Sequence, residues 1–179
     1  AGLLRYTPPA NANGAAYANF SFRVQDDGGT ANGGVDLDPT ANTITINVTA
    51  VNDAPQGTDT TVTTLEDTIF TFSAATFGFS DPNDSPANTL QSVTITTLPA
   101  LGSLTLNGVA VTAGQSVTAA DINSGLLRYT PPLNQNGAGY ASFTFQVRDN
   151  GGTANLGVDL DPSANTVTID VTAVDDAPV

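Results

Sequence analysis

The chain contains no Cys, His, Lys, Met or Trp. Without Cys there is no disulfide framework and no thiol chemistry. Without His and Cys, Ser–His and Cys–His nucleophilic sites are impossible and zinc lacks its usual ligands. Positive charge is scarce too. All four cations are Arg (Arg5, Arg23, Arg128, Arg148), against 17 acidic residues among which Glu66 is the only Glu, and the net charge is −13. That balance opposes binding to nucleic acid or to an anionic membrane, and favours solubility and cation binding. No apolar run approaches the eighteen or so residues of a membrane span, so no membrane insertion is expected, and no signal peptide is visible. Asp pairs occur only in predicted turns with no predicted cleft, which is no basis for a glycosidase-like carboxylate pair; the chain reads as a non-enzyme. The shortage of oxidisable and basic side chains is that of an extracellular, secreted or surface protein.

What the chain does have is repetition. GLLRYTPP stands at Gly2–Pro9 and again at Gly125–Pro132, and over the ungapped overlay of Ala1–Gln56 on Ser124–Val179 forty-one of fifty-six positions are identical. The period of 123 residues is the size of one domain. Residues 1–55 read as the last part of one repeat and residues 56–179 as one nearly complete repeat.

Within the repeat, apolar and polar residues alternate. Phe143, Phe145 and Val147 face one way in YASFTFQVRD (Tyr140–Asp149), and Val167, Ile169, Val171 and Ala173 do so in NTVTIDVTA (Asn165–Ala173). SVTITT (Ser92–Thr97), SLTL (Ser103–Leu106) and TIFTFSA (Thr68–Ala74) repeat the pattern, which reads as half-buried antiparallel strand. DPNDSP, LPALG, LNG, TPP and DNGG punctuate them as turns. Leu106-Asn107-Gly108-Val109 predicts a tight hairpin. The one helix candidate is Val117–Gly125, opened by Thr118 with Asp121 three residues later. About seven short strands and no long helix predict an all-β, Greek-key β-sandwich of immunoglobulin or cadherin type. Residues 1–55 supply only its last strands (LLRY, ANFSFRVQD, NTITINVTAV), so they are expected to be half a sandwich, completed by other chain in cis or in trans.

Each repeat closes on a stiff exit, TAVNDAP (Thr49–Pro55) or TAVDDAP (Thr172–Pro178), in which Pro restrains itself and the residue before it. With TLEDTIFTFS, FSDPNDSPANTLQSVTI, LPALGSLTLNGVAVTAGQSVTAADINSGLLRYTPP, NGAGYASFTFQVRDNGG and NTVTIDVTAVDDAP, the whole repeat resembles the cadherin-like tandem repeats of giant bacterial surface adhesins, many of them exported by type I secretion. The resemblance implies head-to-tail stacking, Ca²⁺ at the junctions and a spacing role in cell adhesion and biofilms.

By that resemblance the junction at Pro55 would take Asp26, Asn52 and Asp53 from one unit and Asp81 and Asp84 from the next. The junction after Pro178 would take Glu66, Asp149, Asp175 and Asp176. Asp159 and Asp161 would face a junction or a local site. These residues offer the oxygen ligands Ca²⁺ requires. Taken singly, each Asp pair reads first as turn residues, since Asp and Asn side chains bond the local backbone. The linkers are shorter than the acidic run of eukaryotic cadherins, and the acidic-Arg-acidic motif is reduced to Arg148-Asp149-Asn150, which implies fewer ions per junction. DNGGTANLGVD does not iterate as a nonapeptide Ca²⁺ repeat, and DPNDSP lacks the Gly and Glu of an EF-hand loop. Partners expected are neighbouring repeats and other copies in trans. The alternatives are a filament subunit completed by strand addition and a carbohydrate- or cell-binding module, for which Tyr6, Tyr17, Tyr129 and Tyr140 would be the stacking residues were they not placed in core-like strands. Arg5 and Arg128 read as surface charges that deter edge pairing.

Overall fold

The computed structural model describes residues 2–177, and the chain divides after Val51 into two compact units. The division precedes the expected one after Pro55, because Asn52 and Asp53 are hydrogen-bonded into the second unit.

The first unit is a single antiparallel pair, β1 (Gly14–Phe22) with β2 (Asn42–Val48). Its LLRY segment (Leu3–Tyr6) forms no strand. A strand needs a ladder partner, and the described residues of this unit include nothing equivalent to the strands that flank LLRY in the second.

The second unit contains, among the described residues, β3 (Thr60–Leu65), β4 (Phe70–Thr71), β5 (Leu90–Ile95), β6 (Ser103–Leu106), β7 (Val109–Ala110), β8 (Gln115–Thr118), α1 (Ala119–Asn123), β9 (Leu127–Thr130), β10 (Gly137–Asp149) and β11 (Asn165–Thr172). They form two sheets, β3-β11-β10-β5-β8 and β4-β9-β6-β7, closed over one core as an Ig-like β-sandwich. β3 runs parallel to β11; the other pairings are antiparallel. The alternation read from the sequence holds for Phe143, Phe145, Val147, Val167, Ile169 and Val171, all buried, but not for Ala173, which is exposed beyond the end of β11 at Thr172. Phe72 stacks edge-on against Phe143 at 5.5 Å and Phe77 against Phe145 at 4.9 Å, tying the sheets together. Leu106 pairs with Val109 across Asn107-Gly108, both at positive φ, as the tight turn requires. Thr118 caps α1, accepting the Asp121 N–H at 3.0 Å.

Two expectations shift. Thr68–Ala74 is strand only at Phe70–Thr71 and then turns into a 3₁₀ segment at Ala74–Phe77, which drops Phe77 into the core. The helix candidate begins at Ala119, because Val117 is fully buried in β8 opposite Val93.

β10–β11 and β1–β2 are the same hairpin built twice. Gly137 pairs with Val171 as Gly14 does with Val48, and Phe143 with Val167 as Phe20 does with Ile44. Both register shifts fall at the same place and are pinned alike: Asp170 Oδ1 accepts the Gly139 N–H at 2.6 Å, and Asn47 Oδ1 the Ala16 N–H at 2.7 Å. The register is shared and the surroundings differ. Phe143 is 1% exposed and Phe20 37%; Tyr129 is 0% and Tyr6 44%.

Candidate functional site

At each of its two ends the second unit holds a group of acidic and amide residues. At one end β10 delivers Asp149, the loop after β10 delivers Val158, Asp159 and Asp161, the turn before β5 delivers Asp81, Asp84 and Asn88, and the linker enters as Asn52 and Asp53.

Asp149 is completely buried. Its carboxylate accepts the Gly151 N–H at 2.8 Å and the Asn52 carboxamide at 3.1 and 3.3 Å. Burial pushes its pKa above the ordinary 3.8, the charges of Asp81 and Asp159 add to the rise, and the Gly151 and Asn52 donors oppose it. Asn52 also donates to the Val158 carbonyl at 2.8 Å, accepts the Asn88 amide at 2.5 Å, and offers its own carbonyl to the Val158 N–H at 2.9 Å. The site has room for it only because residue 151 is glycine: a Cβ there would lie 1.7 Å from Asn52 Oδ1.

Asp81 is buried, and its Oδ2 accepts the Asn88 N–H at 2.5 Å. Its Oδ1 is the one buried side-chain polar atom among the described residues without a partner. Asp84 accepts the Asp53 N–H at 2.9 Å, holding the linker from the other side. Asp159 pairs with Arg148 at 2.5 Å. Asp161 is a local staple: it accepts from Gly57 N, Ser163 N and Oγ, and Asn165 Nδ2. A cleft of about 530 Å³ beside the linker has Asp53 and Asp161 as its carboxylates, and Asp161 is already fully engaged.

At the other end Glu66 is buried and accepts the Asn136 amide at 3.0 Å and the Val174 N–H at 2.7 Å, and these two donors, Asn136 first, hold its pKa below the ordinary 4.5. Asp175 and Asp176 are exposed. The Asn134 amide, turned to donate, reaches Asp67 and Asp176 at 3.3 Å.

This geometry rearranges the groupings implied by the resemblance. Asp149 does not join Glu66, Asp175 and Asp176, because the thirteen residues of β10 separate it from Asn136 and Glu66 by about 40 Å. Asp26, its copy in the first unit, accepts the Gly28 N–H at 2.8 Å and lies past the Phe22 end of its hairpin, whereas the chain leaves that hairpin past Val48. Asn52, Asp53, Asp81 and Asp84 do come together, with Asp149 and Asp159 added. Pro178 lies outside the described residues. Asn88, Gly151 and Asn136 are the site residues the sequence reading omits; all three are uncharged, and Gly151 looks like any turn glycine. The available signal was the exchange of Asn52 for Asp175 in otherwise matching linkers.

A model of the bacterial Ig domain matches residues 52–172, which begin at Asn52 and end with β11. The chain belongs to the bacterial Ig domain family. No curated protein and no solved structure matches it. The boundary of this bacterial Ig domain coincides with the structural one after Val51, so the Asn52–Asp149 contact is internal to the domain. No three His, Cys, Asp or Glu side chains of the described residues converge as a metal-binding group, and no helix among them is long and apolar enough to cross a membrane.

Proposed function

We propose that this bacterial Ig domain is a non-catalytic spacer repeat of a secreted cell-surface adhesin, joined to neighbouring copies of itself and stiffened at the joints by Ca²⁺. The observation that carries the reading is the hairpin built twice in one register from nearly one sequence. A protein whose task is reach can repeat one module, because length matters more than any single surface. The residues left open in the first unit (Phe20, Phe22, Ile44) match Phe143, Phe145 and Val167 of the second, which are buried there with Phe72 and Phe77 stacked on the two rings, and this supports completion by the first half of a like repeat. The exposed aromatics all lie in the first unit and their copies are buried or half-buried in the second, so they are core residues rather than sugar-stacking ones.

The donor set at the linker end suits Ca²⁺ in kind, since it is all oxygen. Asp81, through its unpartnered Oδ1, would be the ligand this unit offers, and backbone carbonyls, water and a neighbouring repeat would supply the rest. The bound ion would neutralise charge that the fold leaves facing itself. The test is the thermal melt of the whole chain in Ca²⁺ against Mg²⁺ at equal ionic strength. A ligand of the folded state raises the melting temperature. A Ca²⁺-specific rise that disappears in Asp81→Asn supports the ion; equal effects of both salts remove it. The open face of the first unit also favours a second reading, a filament completed in trans by strand addition. Solution mass that grows with concentration selects the filament, and a constant mass selects the spacer.

A further inference from the structure

We infer that the first residue of the linker decides whether the linker is seated on its own domain unaided or only around a cation. Asn52 is the unaided form. Its carboxamide supplies two donor hydrogens, and they go to the buried Asp149 carboxylate and the Val158 carbonyl; its oxygen is taken by Asn88. The backbone of the same residue is fixed by Val158, and the next residue by Asp84. The socket is shaped for this side chain, since any Cβ on Gly151 would occupy the space of its oxygen and a Cβ on Gly157 would press on its Cβ at 3.1 Å. A buried carboxylate needs a compensating donor, and here a neutral amide delivered by the linker is that donor.

At the matching position of the second linker copy the chain carries Asp175. An aspartate is isosteric with asparagine but brings no donor and a second negative charge. Seated in a socket of the Asp149 type it would face carboxylate with carboxylate, and only a divalent cation or a proton between them would hold the linker down. Asn52 is thus a positioning residue: it acts through Asp149 on the linker. The inference concerns the linker of the spacer reading, and its test is separate from the test of that reading.

The experiment uses the whole chain in EDTA and in millimolar Ca²⁺. In EDTA, Asn52→Asp should melt roughly 5–10 °C below the parent, the scale for losing a buried donor in a domain of this size. Ca²⁺ should raise the variant more than it raises the parent. Asn52→Asp combined with Asp149→Asn, which exchanges amide and carboxylate across the contact, should recover most of the loss without any ion. An EDTA melt of Asn52→Asp equal to the parent's overturns the inference, as does a loss that neither Ca²⁺ nor the exchange restores. Should the single variant fail to fold, hydrogen exchange of the parent in EDTA decides. The Val158 N–H should be protected with the core strands, and free exchange there overturns the lock. The parent's own Ca²⁺ shift belongs to the proposed function; the difference between variant and parent belongs to the lock, so either can fail alone.

Discussion

Phe20 and Phe143 occupy one position in two copies of one hairpin, which makes the chain its own control for the worth of burial. Phe143→Ala should cost about 3–5 kcal/mol, the usual figure for emptying a core aromatic site. Phe20→Ala should cost under about 1 kcal/mol, because the ring is already more than a third exposed. Urea unfolding of the two variants checks this, and near-equal losses would mean that the first unit's face is covered in solution. Glu66 makes a prediction of opposite character, in pH. Its folded pKa is held below 4.5 by Asn136 and Val174, so its stabilisation is complete above the unfolded value and is lost as pH falls through the lowered folded one. Glu66→Gln should therefore be less stable at neutral pH and show a flatter acid limb; a variant profile parallel to the parent's would dismiss the contact. Single side chains were unevenly legible. Phe143, Val147 and Ile169 declared their burial through alternation, since an apolar residue in period two has one place to go. Asp149 did not, because an Asp before Asn-Gly-Gly has the same sequence signature whether it sits in water or under a carboxamide.

At the scale of elements, the long strands and the tightest turn were readable. β6 has the predicted ends, and the Asn107-Gly108 hairpin the predicted register. The failures have a common cause in tertiary pairing. LLRY is strand in the second unit, where β4 and β6 flank it, and irregular in the first, from the same four letters. β3 and β8 carry too few apolar residues to have been drawn as strands, and their pairing with β11 and β5 decides them. The placement of the acidic residues follows the same rule: the length of β10, not local motif, puts Asp149 at the linker end. The duplicate hairpins give a prediction of their own. An isolated two-stranded ribbon is marginal in water, so the amides of β1–β2 should exchange orders of magnitude faster than those of β10–β11 despite identical register. Equal protection in hydrogen-exchange mass spectrometry would show the first unit to be completed by a partner.

For the molecule as a whole, the repeat announced one domain and the composition announced its charge. A net charge of −13 with only four Arg strains any compact state by self-repulsion. Raising monovalent salt from about 0.01 to 0.15 M shortens the screening length from about 30 to 8 Å. The melting temperature in EDTA should accordingly climb with salt, and a flat response would show that the acidic turns already have their partners. What neither repeat nor charge disclosed is the direction of the terminal strands. β3, which follows the linker entry at Asn52, lies parallel to β11, which ends at the exit by Val174. A tug on the two ends of this domain therefore drags β3 and β11 past one another along their length. Every rung of that ladder carries load at the same moment, where an antiparallel terminal pair would be peeled apart rung by rung. Rupture under tension is a matter of unfolding rate rather than equilibrium, so the resistance of this domain to a pull along its two ends is set apart from its melting temperature.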